Sequence, residues 1–422
     1  MGRRFLRYID RHFSFVQEVE GLTDTRVEPT IALRAIFLSV FLMFACRRRS
    51  LNALESEFRD REKQWPQVIG KRLPSADRMG EVMDENVCAD ELRQMHERFI
   101  KRAHRMKALP RAKGCRWRVG SVDAHELFAT RHRRCPACLE RWVMVGGQMV
   151  LEYYHRVVVF EIVSTHPGVL VDLEPIGAGE DEVAAAQRLA ERVLKRYPQI
   201  CDVVVADGAY QEAPFFRKIR ALGKHVVAVL KDERRELFKD ADGMLRHQPP
   251  GQTIEEEHLH RGKVVRRVII RLWDFTDLET WPQLGSSARV IRCVVETTKR
   301  TKRGTQWVME TTENCWWWAT TLTPQQAGAE EIMRMGRRRW VEENSFNELV
   351  CHWAMDHRFK HEPNAIVTFL LTLFIAHFLQ HLFYARGLQP EARLKLTTCL
   401  ALAEELHSGL SSKTSHSLQR PP

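Results

Sequence analysis

DVVVADGAY, residues 202–210, is the stretch whose reading decides the fold class. Three consecutive valines suit a short strand buried on both faces. The Asp207-Gly208 pair behind them reads as a tight turn. Upstream, Glu180 to Arg196 is rich in Ala, Leu, Arg and Glu, begins with acidic residues and stops before Pro198, which predicts a helix. Downstream, the pattern predicts a helix to Leu222 and a strand from His225 to Leu230. Three more strands come first: WRVGSVDAHEL at 117–127, Val150 to Val163, and Gly168 to Ile176. The order β-β-β-α-β-α-β predicts a mixed α/β sheet whose leading strands form a meander.

The flanks differ in character. Residues 1–106 read as helical, with a strongly apolar helix at Ile31 to Cys46 introduced by Pro29-Thr30. Ser50 and Ser75 are the expected N-caps of two later helices. Pro110 and Gly114 break a Lys/Arg/His-dense stretch and place a linker near 107–115. Such a basic bundle suits DNA binding, and a plain helical cap on the main domain suits the same composition equally well. Residues 107–231 are the first part of the α/β core. Residues 232–322 read as a mostly β insertion, carrying KVVRRVIIRLWDF, ARVIRCVVETT and WVMETTENCWWWATTL. In 323–400 helix returns from Pro324 past Glu348, followed by an apolar helix over 364–386. Residues 401–422, ending SSKTSHSLQRPP, read as a disordered tail.

Composition bounds the function. Of 422 residues, 44% are hydrophobic and 28% charged, which excludes collagen-like, mucin-like and wholly disordered chains. A net charge of +11 favours a polyanionic partner, nucleic acid first. The N-terminal Met1-Gly2-Arg3-Arg4 runs into an amphipathic stretch rather than an apolar signal core, so ten scattered cysteines are expected to be reduced in a cytoplasmic protein. The apolar runs Ala35 to Cys46 and Ala365 to Ala376 fall short of the roughly 20 residues a membrane span needs. Both read as buried helices, and no membrane partner is expected.

The chemistry lies in three acids. Asp123 is expected at the end of the first strand, and Asp207 follows the fourth. Carboxylates at C-terminal strand ends face the crevice of an open α/β sheet. Two there can share a hard divalent cation, Mg²⁺ or Mn²⁺. A third acid is expected from RRRWVEENSFNEL, 337–349. On a helix, Arg339, Glu343 and Asn347 share one face, which combines a carboxylate for metal with a guanidinium for phosphate. Glu342 points a quarter-turn away.

The three stretches VDAHELF (122–128), VVVADGAY (203–210) and RRRWVEENSFNEL (337–349), in that order, resemble the DDE transposases of bacterial insertion sequences. The type is IS-four-like, with a Tyr-Arg-Glu-Lys signature at the third acid. The resemblance covers about residues 70–400. It implies an RNase H-like fold with flanking helices and a β insertion before the catalytic helix. It implies catalytic, metal-holding roles for Asp123, Asp207 and Glu343, with two metal ions, and DNA contact by Arg339. Gly336 stands where the signature has tyrosine and Val350 where it has lysine. Arg337 or Arg338 is the expected substitute for that lysine. The implied activity is metal-dependent cleavage and strand transfer at element ends, by a homodimer in a synaptic complex on inverted repeats and target DNA. The implied location is the bacterial cytoplasm, on the nucleoid. Alternatives are an RNase H-fold nuclease without strand transfer and a non-catalytic DNA-binding descendant.

Weaker signals remain. Cys135-Pro136-Ala137-Cys138 is a C-x-x-C that a structural zinc would use, with Cys115 and His132, or His125, completing the set; a buried thiol turn is the plainer reading. His125 shares a strand face with Asp123. Lys299, Arg300, Lys302 and Arg303 form a basic turn that suits phosphates or plain solvent. Trp316-Trp317-Trp318 is expected to place 316 and 318 on one face and 317 on the other. The resemblance implies that Trp307 or this triplet could stack on a flipped base; strand packing is the plainer reading.

Overall fold

The computed structural model describes residues 1–60, 64–245, 248–260, 263–304, 306–396 and 398–411. Ten strands form one sheet: β1 (Val119–Thr130), β2 (Leu139–Val145), β3 (Gln148–Ile162), β4 (Val169–Pro175), β5 (Val203–Ala206), β6 (His225–Val229), β7 (Gln252–His260), β8 (Lys263–Leu278), β9 (Ala288–Arg303) and β10 (Gln306–Thr320). Their order is β2-β3-β1-β5-β6-β10-β9-β8-β7, with β4 also on β3. The sheet is mixed: β1, β5 and β6 run parallel, and the other pairs are antiparallel. The expected meander is β1-β3-β4. With helices on its flanks this is the RNase H-like architecture. The β-rich stretch continues the same sheet, because β10 pairs with β6 through Trp318↔Val229.

The hairpin strand β2 was not foreseen. Its signal is Gly146-Gly147 between alternating residues. Both glycines have positive φ, 57° and 83°, as a two-residue hairpin turn requires. The helix expected from Pro324 past Glu348 is in fact two, Ala329–Arg337 and Arg339–Trp353, divided at Arg338. Residues 401–411, expected as the start of a disordered tail, belong to the helix Cys399–Ser411 with Leu402, Leu406 and Leu410 buried. The apolar spacing at every fourth residue accounts for this. The rest of that tail lies outside the described residues.

Both serine caps expected in the N-terminal helices are present. Ser50 accepts from Ala53 N–H at 3.1 Å and Ser75 from Arg78 N–H at 3.3 Å, capping Leu51–Arg59 and Ala76–Glu85. The apolar helix Leu33–Ala45 packs on Pro363–Leu382, a 20-residue helix with 17 residues buried inside the fold, within a stretch (Pro363–Gly387) long and apolar enough to cross a membrane. Ion pairing joins the same two regions. Glu348 meets Arg47 at 3.5 Å and His381 at 3.2 Å, and accepts from Trp353 Nε1–H at 3.1 Å. One apolar core therefore unites residues from both ends of the chain with the sheet.

Candidate functional site

Val122↔Ala206 is the last parallel pair between β1 and β5, and Asp123 and Asp207 are the next residue on each chain. The register thus sets two carboxylates side by side on one sheet face. Asp123 is not at a strand end. β1 outruns its parallel neighbour and continues to Thr130 along β3, so only the β5 side of the strand opens at Asp123.

The helix Arg339–Trp353 lies over β1. Ser121 Oγ donates to the buried Glu342 Oε2, and Ser345 Oγ donates to the buried Glu161 Oε1 at 2.8 Å. Phe346 stacks on His125 with ring centroids 5.1 Å apart, so His125 serves packing rather than the acids. With that face fixed to the sheet, the face of Arg339 and Glu343 turns to the acids. Arg339 Nη1 stands 3.3 Å from Asp123 Oδ2, and its Nη2 pairs with Glu343 Oε1. One guanidinium spans the first and third acids. Asp207 has its own cation, Lys231 Nζ at 2.7 Å from Oδ1. The sequence reading missed Lys231; its position just beyond β6, at the end of the sheet where Asp207 sits, was the available signal.

The neighbouring acids are driven apart electrostatically. Burial raises Asp123 to about 6, with Asp207 and Glu182 adding to it and Ala124 N–H and Arg339 opposing. Burial also acts upward on Asp207, but Lys231, Gly208 N–H and Arg339 outweigh it and the net shift is downward. Glu342 rises well above its ordinary value through burial and then Asp123. Asp123 and Asp207 are half-buried and Glu343 is exposed, and together they offer hard oxygen donors from three elements, the donor type a divalent cation takes.

Other expected contacts are spread out. Arg337 lies over Trp316 and Trp340, 5.6 and 5.5 Å from the ring centroids. Arg338 Nη2 donates to Lys113 O at 3.4 Å, and Asn347 is exposed. Trp316 and Trp318 belong to one core and Trp317 to the other, which is the expected alternation. Lys299, Arg300 and Lys302 are exposed at the far end of the β9–β10 hairpin, with Arg300 4.9 Å above the exposed Trp307. That is roughly 40 Å of strand from Thr320 at about 3.3 Å per residue. The side chain of Arg303 lies outside the described residues.

The zinc reading of the C-x-x-C needs correcting. Cys135 and Cys138 are joined by His155 of β3 and His361, all four ligand atoms lying within 4.8 Å of one another. Cys115 lies instead in a pocket with Arg116, Glu330 and Arg334, and His132 is exposed. Spacing along the chain favoured the near residues, whereas β-pairing brings His155 back and the chain leading into the helix Pro363–Leu382 brings His361.

No curated protein matches the chain closely enough to count as a relative. Residues 122–379, more than half of the chain, match the transposase DDE domain, a family that acts on DNA and uses divalent metal. With the acids on the sheet edge and helix described above, the chain belongs to the transposase DDE domain family.

Proposed function

We propose that this protein cleaves DNA at the ends of an insertion sequence and transfers the strands to target DNA, with Asp123, Asp207 and Glu343 as its catalytic acids. The observation that carries the reading is the single guanidinium of Arg339 spanning Asp123 and Glu343, beside Asp207 on the adjacent strand. The three acids would hold Mg²⁺ or Mn²⁺, two ions, whose chemistry when bound is activation of water or a 3′-hydroxyl and stabilisation of the leaving oxygen. Asp207, held low by Lys231, supplies a permanent negative charge. Asp123, raised to about 6 by burial, is mostly ionised at neutral pH, and only below that value would cation binding have to displace its proton. Arg339, once relieved of its carboxylates, is placed to take a phosphate oxygen. The helical region 1–106 and the Lys299-Arg300-Lys302 hairpin tip would hold the DNA, and a homodimer would pair two element ends.

The test uses DNA flanking the gene, where inverted repeats bounded by short direct duplications are expected. Purified protein with Mg²⁺ should nick a labelled end and join it to a target plasmid. Asp123→Ala, Asp207→Ala and Glu343→Ala should each lose at least about 10³-fold in cleavage while retaining DNA binding. Cleavage surviving in Asp207→Ala would overturn the site assignment. Cleavage without joined product would leave a nuclease, and binding without cleavage in the unmodified protein would leave a DNA-binding descendant.

A further inference from the structure

We propose that Cys135, Cys138, His155 and His361 form a structural zinc site that clamps the last long helix to the sheet edge.

The distances carry this. A tetrahedral zinc with Zn–S of about 2.3 Å and Zn–N of about 2.0–2.1 Å has edges of about 3.8 Å between sulfurs and about 3.6 Å between sulfur and nitrogen. Cys135 Sγ and Cys138 Sγ are 3.6 Å apart. Cys135 Sγ to His155 Nε2 is 3.5 Å, Cys138 Sγ to the same nitrogen 3.4 Å, and Cys138 Sγ to His361 Nε2 3.6 Å. Four edges thus agree with one tetrahedron to within about 0.2 Å. The sulfurs are too far apart for a disulfide, whose bond is about 2.05 Å. A turn positions them: Cys138 N–H donates to Cys135 O at 3.1 Å, and Cys135 N–H points at Cys138 Sγ at 3.2 Å. An N–H aimed at sulfur suits a thiolate.

The ligand chemistry is selective. Two thiolates and two imidazoles suit zinc and not the hard cations expected at the carboxylates. Cys138, His155 and His361 are buried, and Phe128 lies 5.4 and 5.9 Å from the two imidazole centroids. Four protein ligands leave no open position, which defines a structural rather than a catalytic metal. The connections explain its use. Cys135 and Cys138 sit in the loop from β1 to β2, and His155 is on β3 opposite Phe128 of β1. His361 lies one residue before Glu362–Pro363, where the helix Pro363–Leu382 begins. A single ion ties the strand that carries Asp123 to the helix at the centre of the core.

The test is metal analysis of the full chain, purified without chelator from zinc-supplemented cells. About one zinc per chain is expected. The metal-stripped protein should take up one Co²⁺ with the intense visible bands of a tetrahedral site and sulfur-to-cobalt charge transfer. His361→Ala and Cys138→Ser should lose the zinc; Cys115→Ser, His132→Ala and Asp123→Ala should keep it. Zinc-free protein that gives only an octahedral cobalt spectrum overturns the proposal, as does iron at one per chain. So does zinc retained in His361→Ala. Should the ligand variants fail to fold, the cobalt spectrum of the unmodified chain still decides. Neither result touches the carboxylate site, which Asp123→Ala probes separately.

Discussion

Gly336→Ala tests how closely the helix pair over the sheet is keyed to one tryptophan. A Cβ at position 336 would stand 2.5 Å from Trp318 Cε2 and 2.8 Å from Cδ1, and closer still to Nε1. Ordinary contact needs about 3.4–4 Å, so helix and indole must separate by roughly 0.6–1 Å. Trp318 is 2% exposed, and its strand is held on both sides by Val229 of β6 and Ile291 of β9. The obstacle is a rigid ring wall, which puts the overpacking penalty at about 2–3 kcal/mol. Alanine in a helix returns about 1 kcal/mol relative to glycine. The net expectation is a destabilisation of about 1–2 kcal/mol. Urea unfolding followed by far-UV circular dichroism should show a lower midpoint with an unchanged slope. In a Trp318→Phe background, which removes the five-membered ring, Gly336→Ala should turn stabilising by about 1 kcal/mol. A stabilising Gly336→Ala in the otherwise unmodified chain would refute the reasoning. The same geometry explains why tyrosine cannot stand here while Trp318 keeps its place.

Glu161, 1% exposed, is raised to about 8 by burial, against the donation from Ser345. Between its unfolded value near 4.5 and 8, the unfolded chain gives up a proton that the fold keeps, so this group lowers stability by about 1.4 kcal/mol per pH unit as pH rises. Glu161→Gln should therefore gain about 3 kcal/mol over the unmodified protein at pH 7 and nothing near pH 4, in denaturation curves across pH; a difference independent of pH would contradict this. Glu348→Ala strands Arg47, whose side chain is 5% exposed, beside His381, and should cost about 3–5 kcal/mol in urea unfolding. Lys299→Ala, Arg300→Ala and Lys302→Ala combined should flatten the log–log salt dependence of DNA affinity by about 0.9 for each phosphate no longer neutralised, and an unchanged slope would show a solvated tip.

Legibility followed the range of the forces. Val203–Ala206, the helix Glu182–Arg196 and the serine caps are decided by near neighbours, and the sequence shows them. Asp207 and Glu343 were singled out in the sequence because each sits in a recognisable local pattern. Lys231 beside Asp207 was missed, because which residues meet across parallel strands depends on register. His155 and His361 were missed for the same reason: a long hairpin and a chain reversal bring them to the cysteines, and spacing along the chain carries no trace of that. The break at Arg338 was hidden because the apolar periodicity of Ile332, Met335 and Phe346 carries on through it.

The union of both chain ends in one core sets a timetable for synthesis. The helix Leu33–Ala45, buried along nearly its whole length, is made roughly 300 residues before its partner Pro363–Leu382. At about 5–20 residues per second the first helix waits roughly 15–60 s with its apolar surface uncovered. The contact between these two helices can therefore form only after residue 382 has been made, and until then the apolar surface of the first helix needs other cover.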